Sequence, residues 1–223
     1  MSLRTPYPLN QHRGLALSVA PTVEPVTAAE LHLHMGTTPA GFPDAAAYIT
    51  DARSEIETRT GVAMLTQSWR LALDRWPAGG EAWWDGTRDG SIAELYSNAQ
   101  RSIALPRWPL ASITSVKVYD EASNETSVTV ADTFDVDPYS IPGRMTLKAG
   151  QTWPVALRAN NAIEIAFVAG YTSAANVPAT FKRAVKQLAA YNYSHRGDEC
   201  DPADAYRASG AEAIMAQYRP MGL

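Results

Sequence analysis

The sequence predicts an α+β fold, with helical segments near both ends and an inserted antiparallel β unit of about five to seven short strands between them. Three observations lead there. Apolar residues recur at helical spacing over 43–60 and again over 178–195. Between them the period changes to two, in short segments rich in Val, Ile and Thr and bounded by Pro, Gly, Asn and Asp. No helical pattern separates those segments, as parallel βαβ units would require.

The elements are justified in chain order. Residues 1–22 form an N-terminal extension with no assigned element. Thr27 with Glu30 three residues on is a capping box, Val26 can staple onto Leu31, and Gly36 ends this first helix after Met35. A second helix over 43–60 carries Ala45, Tyr48, Ile49, Ala52 and Ile56 on one side, with Pro43 in its first turn and Gly61 at its stop. Over 66–74, Trp69, Leu71 and Leu73 alternate with polar or small residues, as in a half-buried strand. The segment 77–100 is a long excursion of turn chemistry around Trp83 and Trp84. Strands are then expected at 102–105, 112–119, 126–130, 134–136, 145–147 and 162–168. Phe181, Val185, Leu188 and Asn192 mark a helix over 178–195, and a last helix spans 202–218. The resulting domains are a helical part built from 23–62 and 172–218, a β unit over 63–171, and a loose tail at 219–223.

Composition narrows the function classes. With 223 residues, 46% hydrophobic and 19% charged, the chain can bury a sizeable core. Nineteen bases against 23 acids give a formal charge of −4, so no global field attracts nucleic acid or an anionic membrane. A single cysteine, Cys200, excludes an intrachain disulfide and a paired-cysteine zinc framework, and fits a reducing cytoplasm. No apolar run approaches the roughly 18 residues of a membrane span, and the first residues lack the pattern of a signal peptide, so neither membrane nor secretion is expected.

No catalytic, metal or cofactor site emerges. His32 and His34 are two apart and point about 200° from each other on a helix, so they cannot share a metal as an i,i+4 pair does. His195, Asp198, Glu199, Cys200 and Asp201 crowd a helix end without ligand spacing to a second cluster, and read as a solvated turn with caps. Asp85, Thr87, Asp89 and Gly90 match the start of a calcium-loop template, but Tyr96 stands where the bidentate Glu belongs. Gly-x-Ser-x-Gly, phosphate-loop and dinucleotide fingerprints are absent.

Charge is segregated. Between Lys117 and Arg144 there is no base, while Asp120, Glu121, Glu125, Asp132, Asp135 and Asp137 supply six acids; Lys182, Arg183, Lys186 and Arg196 lie in a stretch, 171–197, with no acid. These are complementary surfaces of neighbouring subunits, or simply solvated faces. Trp76, Trp83 and Trp84 leave two readings too: anchors of a loop to a β core or another subunit, or a stacking platform for sugars or bases.

The order of local strings resembles the head-tail connector (adaptor) proteins of long-tailed bacteriophages, prophages and gene transfer agents. The strings are Pro25-Val26-Thr27, Thr60-Gly61, Thr66-Gln67-Ser68-Trp69-Arg70, Leu73-Asp74-Arg75-Trp76-Pro77, Ile103 to Pro106, Pro109-Leu110, Ile113-Thr114-Ser115-Val116 and Tyr119-Asp120. Pro142-Gly143-Arg144, Trp153-Pro154, Phe167-Val168-Ala169-Gly170-Tyr171, Val177-Pro178 and Tyr218-Arg219-Pro220 complete them, so the resemblance runs from about Val23 to Pro220. It implies a helical connector core with the β unit inserted, and a structural role without catalysis or cofactor. Such proteins form a ring, typically of twelve subunits, between the portal and the tail or stopper, with DNA passing through the lumen. The implied location is the virion neck, and the host cytoplasm before assembly. On that resemblance Lys182, Arg183, Lys186, Tyr218 and Arg219 are candidate portal or subunit contacts, the acids from Asp120 to Asp137 a candidate lumen or interface, and Trp76, Trp83 and Trp84 a loop contact. A carbohydrate-binding module using the three tryptophans and a carboxylate-dependent hydrolase are the alternatives.

Overall fold

The computed structural model describes residues 13–76, 101–154, 157–197 and 202–218. The chain divides into two compact units. One gathers the described parts of Met1–Val19 and Ser68–Ala169, the other those of Ala20–Gln67 and Gly170–Met221.

The helical unit draws on both ends of the sequence. Its first helix, α1 (Ala28–Met35), starts at the expected capping box: Glu30 N–H donates to Thr27 Oγ1 at 3.2 Å and Thr27 N–H to the Glu30 carboxylate at 2.7 Å. The second, α2 (Ala45–Thr60), buries Ala45, Ile49, Ala52 and Ile56 and stops at Gly61 in the left-handed region. Next comes α4 (Ala179–Ser194), which packs on α2 and buries Phe181, Ala184, Val185, Leu188 and Ala189. Each large side chain buried this way stabilises the unit by about 1.5–3 kcal/mol. The expected last helix is two: α5 (Pro202–Ala208) and α6 (Ala211–Ala216). Gly210 breaks it, because its φ of 79° leaves the helical region.

One buried polar network closes this unit. Arg53 donates to Glu57 at 2.7 Å and to Glu24 at 2.7 Å. Glu57 also accepts from Met64 N–H and from the Gln67 amide, each at 2.7 Å. The carboxylate of α2 thereby fixes where the chain leaves the helix for its next strand. Burial works against the Arg53 charge, but the hydrogen bond to Glu24 and the charges of Glu57 and Glu24 outweigh it and hold the guanidinium above its usual range. A second lock is Gly170, whose φ is 111° and where any Cβ would lie 2.1 Å from the Leu65 carbonyl oxygen.

The β unit has eight strands among the described residues. A five-stranded sheet has the order β1-β2-β8-β4-β5 and a three-stranded sheet the order β3-β7-β6. The strands are β1 (Arg13–Val19), β2 (Gln67–Leu73), β3 (Ser102–Ala104), β4 (Leu110–Tyr119), β5 (Glu125–Val128), β6 (Phe134–Asp137), β7 (Arg144–Leu147) and β8 (Ile163–Ala169). A single helical turn, α3 (Val130–Thr133), precedes β6. The pairs β1/β2, β3/β7, β4/β5, β4/β8 and β6/β7 are antiparallel, as expected. Alternation sets the buried face: Trp69, Leu71 and Leu73 on β2, Ile163, Ile165, Phe167 and Ala169 on β8, Val116 and Val118 on β4.

The N-terminal extension needs correcting. Its residues Arg13–Val19 pair with β2, with Leu15 opposite Leu71 and Leu17 opposite Trp69. The alternation Leu15, Leu17, Val19, followed by Pro21, carried this strand signal in the sequence.

Candidate functional site

Among the described residues, the expected functional residues divide between the two units: Lys182, Arg183, Lys186 and Tyr218 belong to the helical one, Trp76 and the acids from Asp120 to Asp137 to the β unit. Among the described residues no group of three or more His, Cys, Asp or Glu side chains is placed to hold a metal ion, and no helix is long and apolar enough to cross a membrane. His32 is buried, its Nδ1 lying 3.4 Å from Thr37 Oγ1, while His34 is exposed, so the two rings are in different environments. The calcium-like segment from Asp85 to Tyr96 and the acids Asp198, Glu199 and Asp201 lie outside the described residues.

On α4 the three bases differ. Arg183 is exposed, whereas Lys182 and Lys186 are half-buried one turn apart. Glu30 of α1 is held below the usual carboxylate range, first by the Thr27 N–H, against a smaller opposing effect of burial, then by the Thr27 hydroxyl and the charges of Lys182 and Lys186. Two of the three bases thus lie within electrostatic range of an acid of their own unit, without an ion pair to it at 4 Å or less. Sequence spacing showed the basic helix but not this neighbour, which is about 150 residues away in the chain.

The acidic stretch is likewise less isolated than it reads. Glu125 lies 2.9 Å from Lys117, Asp137 3.1 Å from Arg144, and Asp135 3.9 Å from Lys148. Hairpin pairing brings back the bases that flank the stretch in sequence, so three of the six acids are partly answered. Asp120 closes its own turn, accepting from Asn124 N–H at 2.8 Å and from the Asn124 amide at 2.9 Å. These two bonds, the side-chain one first, hold its carboxyl low. Glu121 and Asp132 are exposed.

Trp76 is not part of an exposed platform. It is 6% exposed, stacks on Trp153 with ring centroids 4.4 Å apart, and donates its indole N–H to Pro154 O at 3.1 Å. The large ring gains more from the β-unit core than a solvent-facing site would give it. Trp83 and Trp84, with the rest of 77–100, lie outside the described residues, as does Arg219. Tyr218 packs edge-on against Phe181, with centroids 4.7 Å apart and its hydroxyl 3.4 Å from Thr180 Oγ1.

What remains uncommitted is apolar surface. Leu15, Leu17 and Val19 on β1, Leu33 on α1, and Val136, Tyr139 and Ile141 around the β6–β7 turn are large and exposed. Sequence reading named none of them as functional, because exposure is a property of the fold.

No protein-family model matches the chain, and no curated protein matches it. Solved structures do. A chain from the neck of an empty gene transfer agent particle, computed with C6 symmetry, superposes with a TM-score of 0.69 at 25% identity, over 93% of this chain and 96% of that one. A chain in the virion of a native gene transfer agent particle gives 0.68 at 24% identity, covering 93% and 95%. One from the neck of a native particle computed with C12 symmetry gives 0.66 at 24%, covering 92% and 96%. The fold is thus that of neck proteins of phage-like particles, consistent with the head-tail connector family that the ordered strings resemble.

Proposed function

We propose that this chain is a head-tail connector (adaptor): a non-catalytic subunit of a ring in the neck of a phage, prophage or gene-transfer-agent particle. The ring sits between the portal and the tail or stopper, and DNA passes through its lumen. The supporting observation is a likeness to gene transfer agent neck chains that runs almost end to end in both chains, 93% of this one and 96% of the other. Neighbours computed with C6 and C12 symmetry support a homo-oligomeric ring, with twelve copies as the proposed number. A net charge of −4 suits a wall that surrounds DNA without holding it. On this reading Arg183, with Lys182 and Lys186 beside it, meets acidic surface on the portal or on a neighbouring subunit. Removing the gene from the host that carries it is the test. DNA-filled heads and separate tails in electron micrographs, rejoined when the gene is returned, are expected; complete tailed particles without the chain would refute the role.

A further inference from the structure

The buried face of the five-stranded sheet does not stop where its cover stops. Directly opposed residues of an antiparallel pair share a face, so Leu15 and Leu17 continue the face formed by Leu71 and Trp69. Leu71 is 1% and Trp69 8% exposed, yet Leu15 is 36% and Leu17 45% exposed. Among the described strands β1 is also the edge of its sheet, and RGLALSV has neither Pro nor Lys to discourage pairing.

The same unit carries an apolar projection elsewhere. Tyr139 is 93% and Ile141 55% exposed in the turn between β6 and β7. This turn is held rigidly. The Asp137 carboxylate accepts from Tyr139 N–H at 3.0 Å, from Ser140 N–H at 3.2 Å, from the Ser140 hydroxyl, and from Arg144 Nε at 3.1 Å. Gly143 O accepts from Leu105 N–H at 2.8 Å, and a Cβ at Gly143 would lie 2.6 Å from the Leu110 Cβ, so the turn is fastened close to β4. A rigid loop presenting a bare Tyr and Ile loses little entropy on docking.

From these two surfaces we infer that the Tyr139–Ile141 turn of one copy seats against Leu15 and Leu17 on β1 of the next copy around a ring. The inference rests on the ring reading above. A cyclic ring requires two unlike, complementary patches on one body, and the β unit bears two. β1 holds one base, Arg13, and no acid, whereas the stretch that carries the turn keeps Glu121, Asp132 and Asp135 exposed, the last 3.9 Å from Lys148. An unrelated partner would need no such match within a single chain.

The test uses the full chain with Cys200→Ser. A Leu17→Cys, Tyr139→Cys double variant should form, on mild oxidation, a disulfide ladder through trimers and beyond, while neither single variant should pass the dimer. Leu17→Glu and Tyr139→Ala should each raise the concentration for half-assembly, read by native mass spectrometry, about tenfold or more, and Leu33→Glu on α1 should not. Circular dichroism checks that Leu17→Glu keeps its fold, and Tyr139, 93% exposed, can be truncated without unfolding the chain. Rings that form without a ladder and tolerate both substitutions would overturn this contact and leave the ring standing. A monomer without a ladder at every concentration would overturn the contact as well, whereas the connector role is judged separately by the micrographs of heads and tails.

Discussion

At the scale of residues, two carboxylates do most to fix local geometry. Replacing Glu57 by Ala leaves Arg53 with Glu24 alone and strips the buried Met64 N–H and Gln67 amide of their acceptor. The expected loss is about 3 kcal/mol of unfolding free energy, read from urea denaturation, with Glu57→Gln recovering part of it. Asp137 acts at the surface. Its carboxyl is held low by the Ser140 hydroxyl above all, against the next-largest effect, desolvation, and then by the Ser140 and Tyr139 N–H groups and Arg144. A folded pKa below the unfolded value of about 4 means that the bonds contribute above that value and are lost as pH falls through the folded one. Protection of the Tyr139 and Ser140 amides, relative to their intrinsic exchange rates, should therefore fall in the native chain as pH drops through the folded pKa, and should be low at neutral pH in Asp137→Ala. Exchange unaffected by either change would show that the turn is held by other means.

At the scale of elements, the helical unit is closed by its last residues. Tyr218 covers Phe181 of α4, so Tyr218→Ala should lower stability by about 1–2 kcal/mol in thermal unfolding. Tyr218, a candidate portal or subunit contact on the resemblance, thus also packs within its own unit. The bases on α4 separate by the same logic. Lys182→Glu with Lys186→Glu places two like charges by Glu30 and should cost the monomer less than about 1 kcal/mol, since such pairs are screened. Arg183→Glu should leave the monomer's melting unchanged and, on the connector reading, weaken portal binding in pull-down at low salt.

At the scale of the whole molecule, both units are discontinuous in sequence, so a truncation at one end has a defined address. Removing residues 1–19 takes away β1 but no part of the helical unit. Hydrogen exchange followed by mass spectrometry should show faster exchange in β2, which loses its edge partner, with α2 and α4 keeping their protection. Equal loss in both helices would mean that the units do not hold their structure separately.

Legibility follows the range of the determining force. Helices α1, α2 and α4 and strands β2 to β8 could be read because capping, helical period and alternation act over a few residues; Thr27, Glu30 and Gly61 do in the structure what their spacing predicts. The strand at Arg13–Val19 was as legible as the others and lay hidden in what reads as an extension, while one left-handed residue, Gly210, split a helix that periodicity ran through. Sequence alone determined the α+β class, the charge segregation and the ordered strings of a connector. Tertiary structure decided which charges are already answered at home, that Trp76 is core, and that Leu15, Leu17, Tyr139 and Ile141 are left uncovered. Pairing and exposure depend on which distant segments meet, and that is set by long-range packing rather than by any local pattern.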